Sequence, residues 1–166
     1  MCGQSFLAPD KKVSETGSVK TLRATVGAIA FLLLAVSPAW AKPGWQTDFK
    51  KAQEEARSNK KLVLLDFTGS DWCGWCIRLD KEVFSKPEFK EYASKNLILV
   101  EIDFPRGREL SGSERAQNEE LAKRFGIQGF PTIVVLDGEG KKVGELGYAP
   151  GGPSAFLAEL DKLRSG

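Results

Sequence analysis

One apolar run constrains the fold more than any other part of this chain: Leu62-Val63-Leu64-Leu65-Asp66-Phe67. Its apolar residues are consecutive, so both of its faces must be buried, as in a central strand of a parallel sheet. Asp66 interrupts the run, and a buried carboxylate costs free energy unless it has a partner or a role. The run therefore predicts the centre of an α/β sheet and marks Asp66 as a candidate functional residue.

Two cysteines follow this strand at the spacing of a reactive pair. Residues 67–78 read F-T-G-S-D-W-C-G-W-C-I-R, with Cys73 and Cys76 three positions apart. If a helix begins at Cys73, its free N–H groups and its dipole stabilise a thiolate there. Such a setting lowers a thiol pKa from about 8.5 to roughly 3.5–7.5. Cys76 then lies one turn further on, more sheltered, as the resolving thiol of a thiol–disulfide exchange pair.

The alternatives to a reactive cysteine pair are half of a zinc site, a purely structural disulfide, and a chance spacing. Tetrahedral zinc requires four ligands, whereas the chain has no histidine and one further cysteine, Cys2. A redox-active pair is therefore favoured, and we expect neither a metal nor another cofactor.

Residues 20–41 have the pattern of an export signal. A basic start, an apolar run over 24–36 and an A-x-A site that ends at Ala41 are its three parts. The run is short for a bilayer span, which takes about 20 apolar residues. We expect cleavage after Ala41 and a periplasmic or otherwise exported protein, with an uncleaved anchor as the alternative.

The remaining sequence predicts one domain. Residues 1–18 are polar and unlike a signal start, so we expect translation to begin at Val19. Residues 1–41 are then an N-terminal extension with its signal peptide, and residues 42–166 form a single domain. Basic and acidic side chains are equal in number after Ala41, which argues against nucleic acid or an anionic membrane surface as a partner. We expect a monomer.

Patterning along this domain predicts alternating helices and strands. A helix capped by Thr47 or Asp48 should precede the first strand, and a helix capped by Ser70 or Asp71 should carry the cysteines to about Glu82. The further expected elements are a helix from Pro87 to Asn96, a strand at 97–103, a helix from about Ser113 to Phe125 with Ala116 buried, strands at 133–136 and 141–147 joined by a hairpin, and a closing helix with Phe156, Leu157, Leu160 and Leu163 on its apolar face.

The motif Trp72-Cys73-Gly74-Trp75-Cys76 resembles the active site of thioredoxin, with Trp75 where thioredoxin has proline. The resemblance extends over most of the chain after residue 45. It implies a thioredoxin-like fold, an α/β structure whose central mixed sheet is flanked by helices. It also implies a cis bond between Phe130 and Pro131, with the proline against the cysteines.

The same resemblance assigns a role to Asp66. In thioredoxins a buried aspartate at this point relays a proton to and from the second cysteine, and an apolar setting that raises its pKa suits a general acid or base. The alternative is that Asp66 bonds to the backbone of the turn. Thioredoxin also has a lysine nearby on the next strand, but Leu99 stands there, so we expect no cationic partner for Asp66.

An exported thiol–disulfide oxidoreductase is the function that these features predict. An apolar collar that binds a substrate peptide is expected from Trp72, Trp75, Phe130 and Pro131, with simple packing as the alternative. The basic loop at 104–112 is expected to be solvated, with a role in partner choice as the alternative. No histidine lies between the cysteines, which favours a reductase of protein disulfides that is supplied by a membrane electron donor. The alternatives are a disulfide oxidase or isomerase, and a non-catalytic binding module.

Overall fold

The computed structural model describes residues 42–165. The predicted signal peptide, its cleavage site and the predicted start at Val19 lie outside the described residues. In chain order the elements are β1 (Trp45–Gln46), α1 (Phe49–Asn59), β2 (Leu62–Thr68), α2 (Gly74–Leu79) with a π-helical continuation (Asp80–Phe84), α3 (Pro87–Asn96), β3 (Leu97–Asp103), α4 (Gly112–Phe125), β4 (Thr132–Leu136), β5 (Lys142–Leu146) and α5 (Gly152–Ser165).

The strands of residues 42–165 form one mixed sheet in the order β1-β3-β2-β4-β5. β2 pairs in parallel with β3 and antiparallel with β4. The apolar run of β2 is therefore central, as its sequence predicted, with covered faces on both sides. The predicted α/β class, with a central mixed sheet flanked by helices, is confirmed.

Helices cover both faces of this sheet and divide the core in two. Alternation along β2 directs Val63, Leu65 and Phe67 to one face, where α1 and α4 pack through residues such as Ala52 and Leu121. Leu64 points to the opposite face, where α2, α3 and α5 pack. Asp66 shares the parity of Leu64, so it lies on the same face as the cysteine-bearing helix.

Two local features differ from the sequence predictions. The short strand β1 was not predicted; it pairs Trp45 with Leu99 in parallel and forms the edge of the sheet. Helix α4 begins at Gly112, next to Ser113 as predicted, with Ser111 as its N-cap. Ala116 is exposed rather than buried, and Asn118 is buried in this helix together with Leu121; the side-chain amide of Asn118 donates to the Asp103 carbonyl oxygen at 2.8 Å.

None of the helices within residues 42–165 is both long enough and apolar enough to span a bilayer.

Candidate active site

The two cysteines lie at the start of α2, where the sequence placed them. Cys73 is the N-cap, with extended backbone dihedrals (φ −83°, ψ 103°), and its Sγ accepts a hydrogen bond from the backbone N–H of Cys76 at 3.2 Å. The two side chains are joined in a disulfide, with their Cα atoms 5.2 Å apart. Both residues are buried, Cys76 slightly more than Cys73. A thiolate on Cys73 would receive the same N–H group and the positive end of the helix dipole.

The expected capping role of Ser70 or Asp71 is wrong, because Cys73 itself caps the helix. Ser70 instead donates to the buried carboxylate of Asp103, through its backbone N–H at 2.9 Å and its hydroxyl at 2.7 Å. The turn is also shaped by Gly69, since a Cβ atom there would lie 2.4 Å from the indole of Trp72. Trp72 therefore folds back over the turn that precedes the cysteines.

The 104–112 loop has exposed residues, as a solvated loop should, and it is also hydrogen-bonded to this turn. The Asp71 carboxylate accepts the backbone N–H groups of Arg106 and Gly107, and these bonds lower the pKa of Asp71. Trp72 donates its indole N–H to the carbonyl oxygen of Phe104 at 2.8 Å. The guanidinium group of Arg106 lies 3.9 Å from the ring centroid of Trp72. The loop is thus held against the turn that precedes Cys73.

The predicted aromatic collar divides into two groups. Trp72 meets Phe130 edge to face, with ring centroids 6.0 Å apart. Trp75 packs against Tyr148 instead, at 5.1 Å, and is the more exposed tryptophan, at 56% against 37% for Trp72. Tyr148 was not among the predicted site residues; its hydroxyl donates to the carboxylate of Glu82 at 2.8 Å.

The bond between Phe130 and Pro131 is cis, as the family resemblance implied. Both residues are partly buried just before β4 begins at Thr132. The ring of Phe130 also stacks on Phe104, with centroids 5.2 Å apart. Phe130 therefore joins the 104–112 loop to the segment that carries the cis bond.

Asp66 does have a cationic partner, so the expectation based on Leu99 is wrong. The cation is Lys42, from the segment before β1, whose Nζ lies 3.7 Å from Asp66 Oδ2. Its ammonium group lies over the ring of Trp45, at 5.2 Å from the centroid, and near that of Phe84. The lysine thus reaches the aspartate from the amino-terminal segment rather than from the neighbouring strand.

Two more carboxylates complete an ionic cluster around Lys42. Lys42 Nζ lies 3.1 Å from Glu101 Oε1 and 3.1 Å from Asp80 Oδ1. Glu101 is the parallel-strand neighbour of Asp66, and the two are 3% and 2% exposed. Asp80 follows Cys76 by one helical turn, and its backbone N–H donates to the Cys76 carbonyl oxygen. The cluster therefore lies beside the helix turn that contains Cys76.

Burial controls the titration of these groups. Removal from water raises the pKa of Asp66 to about 7, with Lys42 opposing the rise and Glu101 and Asp80 adding to it. Burial likewise raises the pKa of Glu101, again against the effect of Lys42. Partial burial of the lysine favours its neutral form, but the three carboxylates outweigh this and raise the pKa of Lys42. Asp66 can thus gain or lose a proton near neutral pH, which suits a general acid or base.

No group of three or more His, Cys, Asp or Glu side chains within residues 42–165 is arranged to hold a metal ion. The zinc alternative requires free thiols, whereas Cys73 and Cys76 are bonded to each other in this structure.

Comparison with known proteins agrees with this geometry. A family model described as a thioredoxin-like domain matches residues 49–164. The disulfide bond reductase DsbH of Chlamydia pneumoniae is 36% identical over 116 residues, which cover 70% of this chain and 69% of that protein. The thioredoxin-related protein DsbJ of the same organism is 29% identical over 103 residues, and only 30% of its length is covered.

A solved structure extends the likeness to three dimensions. The structure of a protein described as DsbH oxidoreductase superposes with a TM-score of 0.69 at 35% identity, covering 72% of this chain and 82% of the other. The sequence match and the fold match are thus both to proteins named DsbH.

Proposed function

This chain belongs to the thioredoxin-like family, and from that premise we propose that it is an exported thiol–disulfide oxidoreductase that acts mainly as a reductase of protein disulfides. The observation that carries the proposal is the disulfide at the N-terminus of α2, where Cys73 Sγ already accepts a helix N–H. That position stabilises the thiolate that must attack or leave in every exchange step.

The reaction proceeds in two exchanges. The Cys73 thiolate attacks one sulfur of a substrate disulfide, forms a mixed disulfide with it, and releases the other substrate sulfur as a thiolate. Cys76 then gives its proton to Asp66 and attacks Cys73 Sγ, which releases the second substrate thiolate. The substrate has gained two electrons, its thiolates take up protons from water or from Asp66, and the protein is left with the Cys73–Cys76 disulfide.

Aromatic groups on both sides of the disulfide supply the substrate surface. Trp72 and Phe130 form one side, and Pro131 follows them in the cis-bonded segment. Trp75 forms the other side together with Tyr148. Exposed aromatic surface beside a reactive sulfur suits an unfolded or extended protein segment better than a small thiol.

The direction of the reaction is inferred from two observations. No histidine lies between the cysteines to stabilise the thiolate further, and the relative with 36% identity carries the name disulfide bond reductase. A reductase outside the cytosol requires a supply of electrons, so a dithiol donor in the membrane would have to reduce the Cys73–Cys76 disulfide after each turnover.

Residues 1–41 complete the proposal as an extension and signal peptide that is removed after Ala41, leaving a domain of residues 42–166 in the periplasm. Amino-terminal sequencing of the exported protein would test this. A first residue of Lys42 agrees with the proposal, whereas an intact amino-terminal extension in the membrane fraction would indicate an uncleaved anchor.

Turnover and potential together test the enzymatic proposal. We expect the domain to reduce insulin disulfides with dithiothreitol as donor, and a Cys73→Ser variant to lack this activity. Equal rates for the two proteins would instead indicate a binding module with an inert disulfide. A reduction potential near the thioredoxin value of about −270 mV supports a reductase, whereas one near −120 mV would make the protein a disulfide donor.

A further inference from the structure

The ionic cluster around Lys42 contains more carboxylates than ammonium groups. One ammonium group faces three carboxylates, at 3.1 Å for Glu101, 3.1 Å for Asp80 and 3.7 Å for Asp66. Asp80 is 39% exposed and can be solvated, whereas the other two carboxylates are almost completely buried. A single lysine cannot neutralise two buried carboxylates, so the cluster favours a state in which one of them carries a proton.

Pairing in the sheet explains why the two buried carboxylates affect each other. Asp66 and Glu101 are direct neighbours across the parallel β2–β3 pair, so their side chains leave the sheet on the same face. Oδ1 of Asp66 accepts no hydrogen bond from any group in the described part of the chain. An unpaired, buried carboxylate oxygen of this kind is stabilised when it is protonated or when a donor such as a thiol approaches it.

We propose that Lys42 and Glu101 are positioning residues of the reductase site, which act on Asp66 in opposite senses and so set the pH at which Cys76 gives up its proton. The proposal rests on the proposed function, in which Asp66 accepts that proton. Lys42 stabilises the carboxylate form of Asp66 and opposes its protonation. Glu101 places a second negative charge beside Asp66 and so promotes the protonation of Asp66.

Within residues 42–165, few other charged groups lie close enough to Asp66 to change its protonation. The charged groups that act on Asp66 are Lys42 from the segment before β1, Glu101 from β3 and Asp80 from the turn after α2. Asp103, at the end of β3, and Arg108, in the loop that follows, form an ion pair at 2.7 Å and also act on Glu101. The β4 neighbour of Asp66 is Ile133, which carries no charge.

In the step concerned, the S–H bond of Cys76 breaks and its proton goes to a carboxylate oxygen of Asp66. The Cys76 sulfur then bonds to Cys73 Sγ with its own electron pair, and the substrate sulfur leaves with the pair of the broken S–S bond. A larger fraction of Asp66 in the carboxylate form therefore means faster resolution at a given pH.

Variants of Lys42 and Glu101 should shift the pH dependence of this step in opposite directions. Lys42→Met should raise the pKa of Asp66, whereas Glu101→Gln should lower it, each by about tenfold or more in the proton-binding constant. Lys42→Arg keeps the cation and should restore the wild-type behaviour in large part. Lys50→Met, which removes an exposed charge from α1, is the matched control. Because Glu101→Gln keeps the size of the side chain and removes a buried charge, it tests the proposal even if Lys42→Met folds poorly.

Two measurements decide the proposal. Carboxyl-carbon NMR of the oxidised protein gives the titration of Asp66 without any enzymatic turnover. Stopped-flow mixing of the reduced protein with Ellman's reagent separates attack by Cys73 from the second release of thionitrobenzoate, which reports attack by Cys76. The pH midpoint of the second phase should rise in Lys42→Met and fall in Glu101→Gln, with Lys50→Met unchanged.

The outcomes separate this proposal from the proposed function. Midpoints that do not move, or that move in the same direction in both variants, would overturn the roles of Lys42 and Glu101 even if insulin is reduced normally. NMR shifts of opposite sign without a change in the second phase would overturn the link to Cys76. Opposite shifts in both measurements support the proposal, and a failure to reduce insulin would then count against the proposed substrate class alone.

Discussion

Replacement of Asp66 by asparagine should remove most of the pH dependence of the unfolding free energy of the oxidised protein between about pH 5 and pH 8. Asparagine resembles a protonated aspartate in shape and cannot ionise. Because burial raises the pKa of Asp66 from its ordinary value of 3.8 to about 7, the folded protein holds a proton there that the unfolded chain has already lost. Linkage then requires the unfolding free energy of the wild type to fall as pH rises between these two values.

The size of this effect follows from the same numbers. One pKa unit corresponds to about 1.4 kcal/mol, so the full displacement amounts to about 4 kcal/mol, of which about 2–3 kcal/mol falls between pH 5 and pH 8. Other sources of titration in the domain of residues 42–166 are few in this range, since it has no histidine and its two cysteines, Cys73 and Cys76, are in the disulfide. Glu101, whose pKa burial also raises, should leave a smaller residual slope of the same sign in the variant.

Urea unfolding at a series of pH values, without reductant, measures this directly. The wild type should lose stability steadily towards pH 8, and Asp66→Asn should be more stable than the wild type at pH 8 but similar to it near pH 5. Asp48→Asn is the control, because Asp48 is an exposed N-cap and asparagine caps equally well. Parallel curves for Asp66→Asn and the wild type would refute the reasoning, since the raised pKa of Asp66 would then have no energetic consequence.

Other variants test separate parts of the site. Cys76→Ser should accumulate a mixed disulfide through the remaining thiol, visible as a mass increase that dithiothreitol reverses; absence of the adduct with a disulfide peptide would contradict the assigned order of attack. Trp75→Ala should raise KM for insulin and leave the reaction with Ellman's reagent unchanged, and equal effects on both reagents would argue against a docking role. Asp71→Ala should release the 104–112 loop, because its backbone bonds are lost, and amide hydrogen exchange there should rise at least tenfold; unchanged protection would show that other contacts hold the loop. Phe89→Ala should cost about 3–5 kcal/mol of unfolding free energy, because this ring is fully buried, and a loss below about 1 kcal/mol would contradict its core position.

The fold could be predicted because its main signals are local. The run at 62–67 is apolar at successive positions, which only a strand covered on both faces tolerates. Glycine at 126 ends α4 in the left-handed conformation, as expected from a C-terminal stop. The two residues of β1, by contrast, are too few to show any alternation of polar and apolar positions. Pairing with β3 alone defines that strand.

The candidate site was less predictable where it depends on distant parts of the chain. Cys73, Cys76 and Asp66 lie within one short segment, and the spacing of the cysteines carries the chemistry. The contact between Lys42 and Asp66 spans 24 residues and requires the sheet to bring the amino-terminal segment beside β2. A signal for Glu101 was present, since this acidic residue interrupts the apolar strand at 97–103 as Asp66 interrupts its own.

The position of Lys42 has a practical consequence for anyone who expresses this domain. The family match begins at residue 49, after both Lys42 and the strand at Trp45–Gln46. A recombinant protein trimmed to those limits would keep Cys73, Cys76 and, apart from the last residue of α5, every helix of the described chain. It would nevertheless lack the ammonium group that faces the buried carboxylates. Thiol chemistry measured on such a truncated protein would describe an altered site, so the expressed protein should begin no later than Lys42.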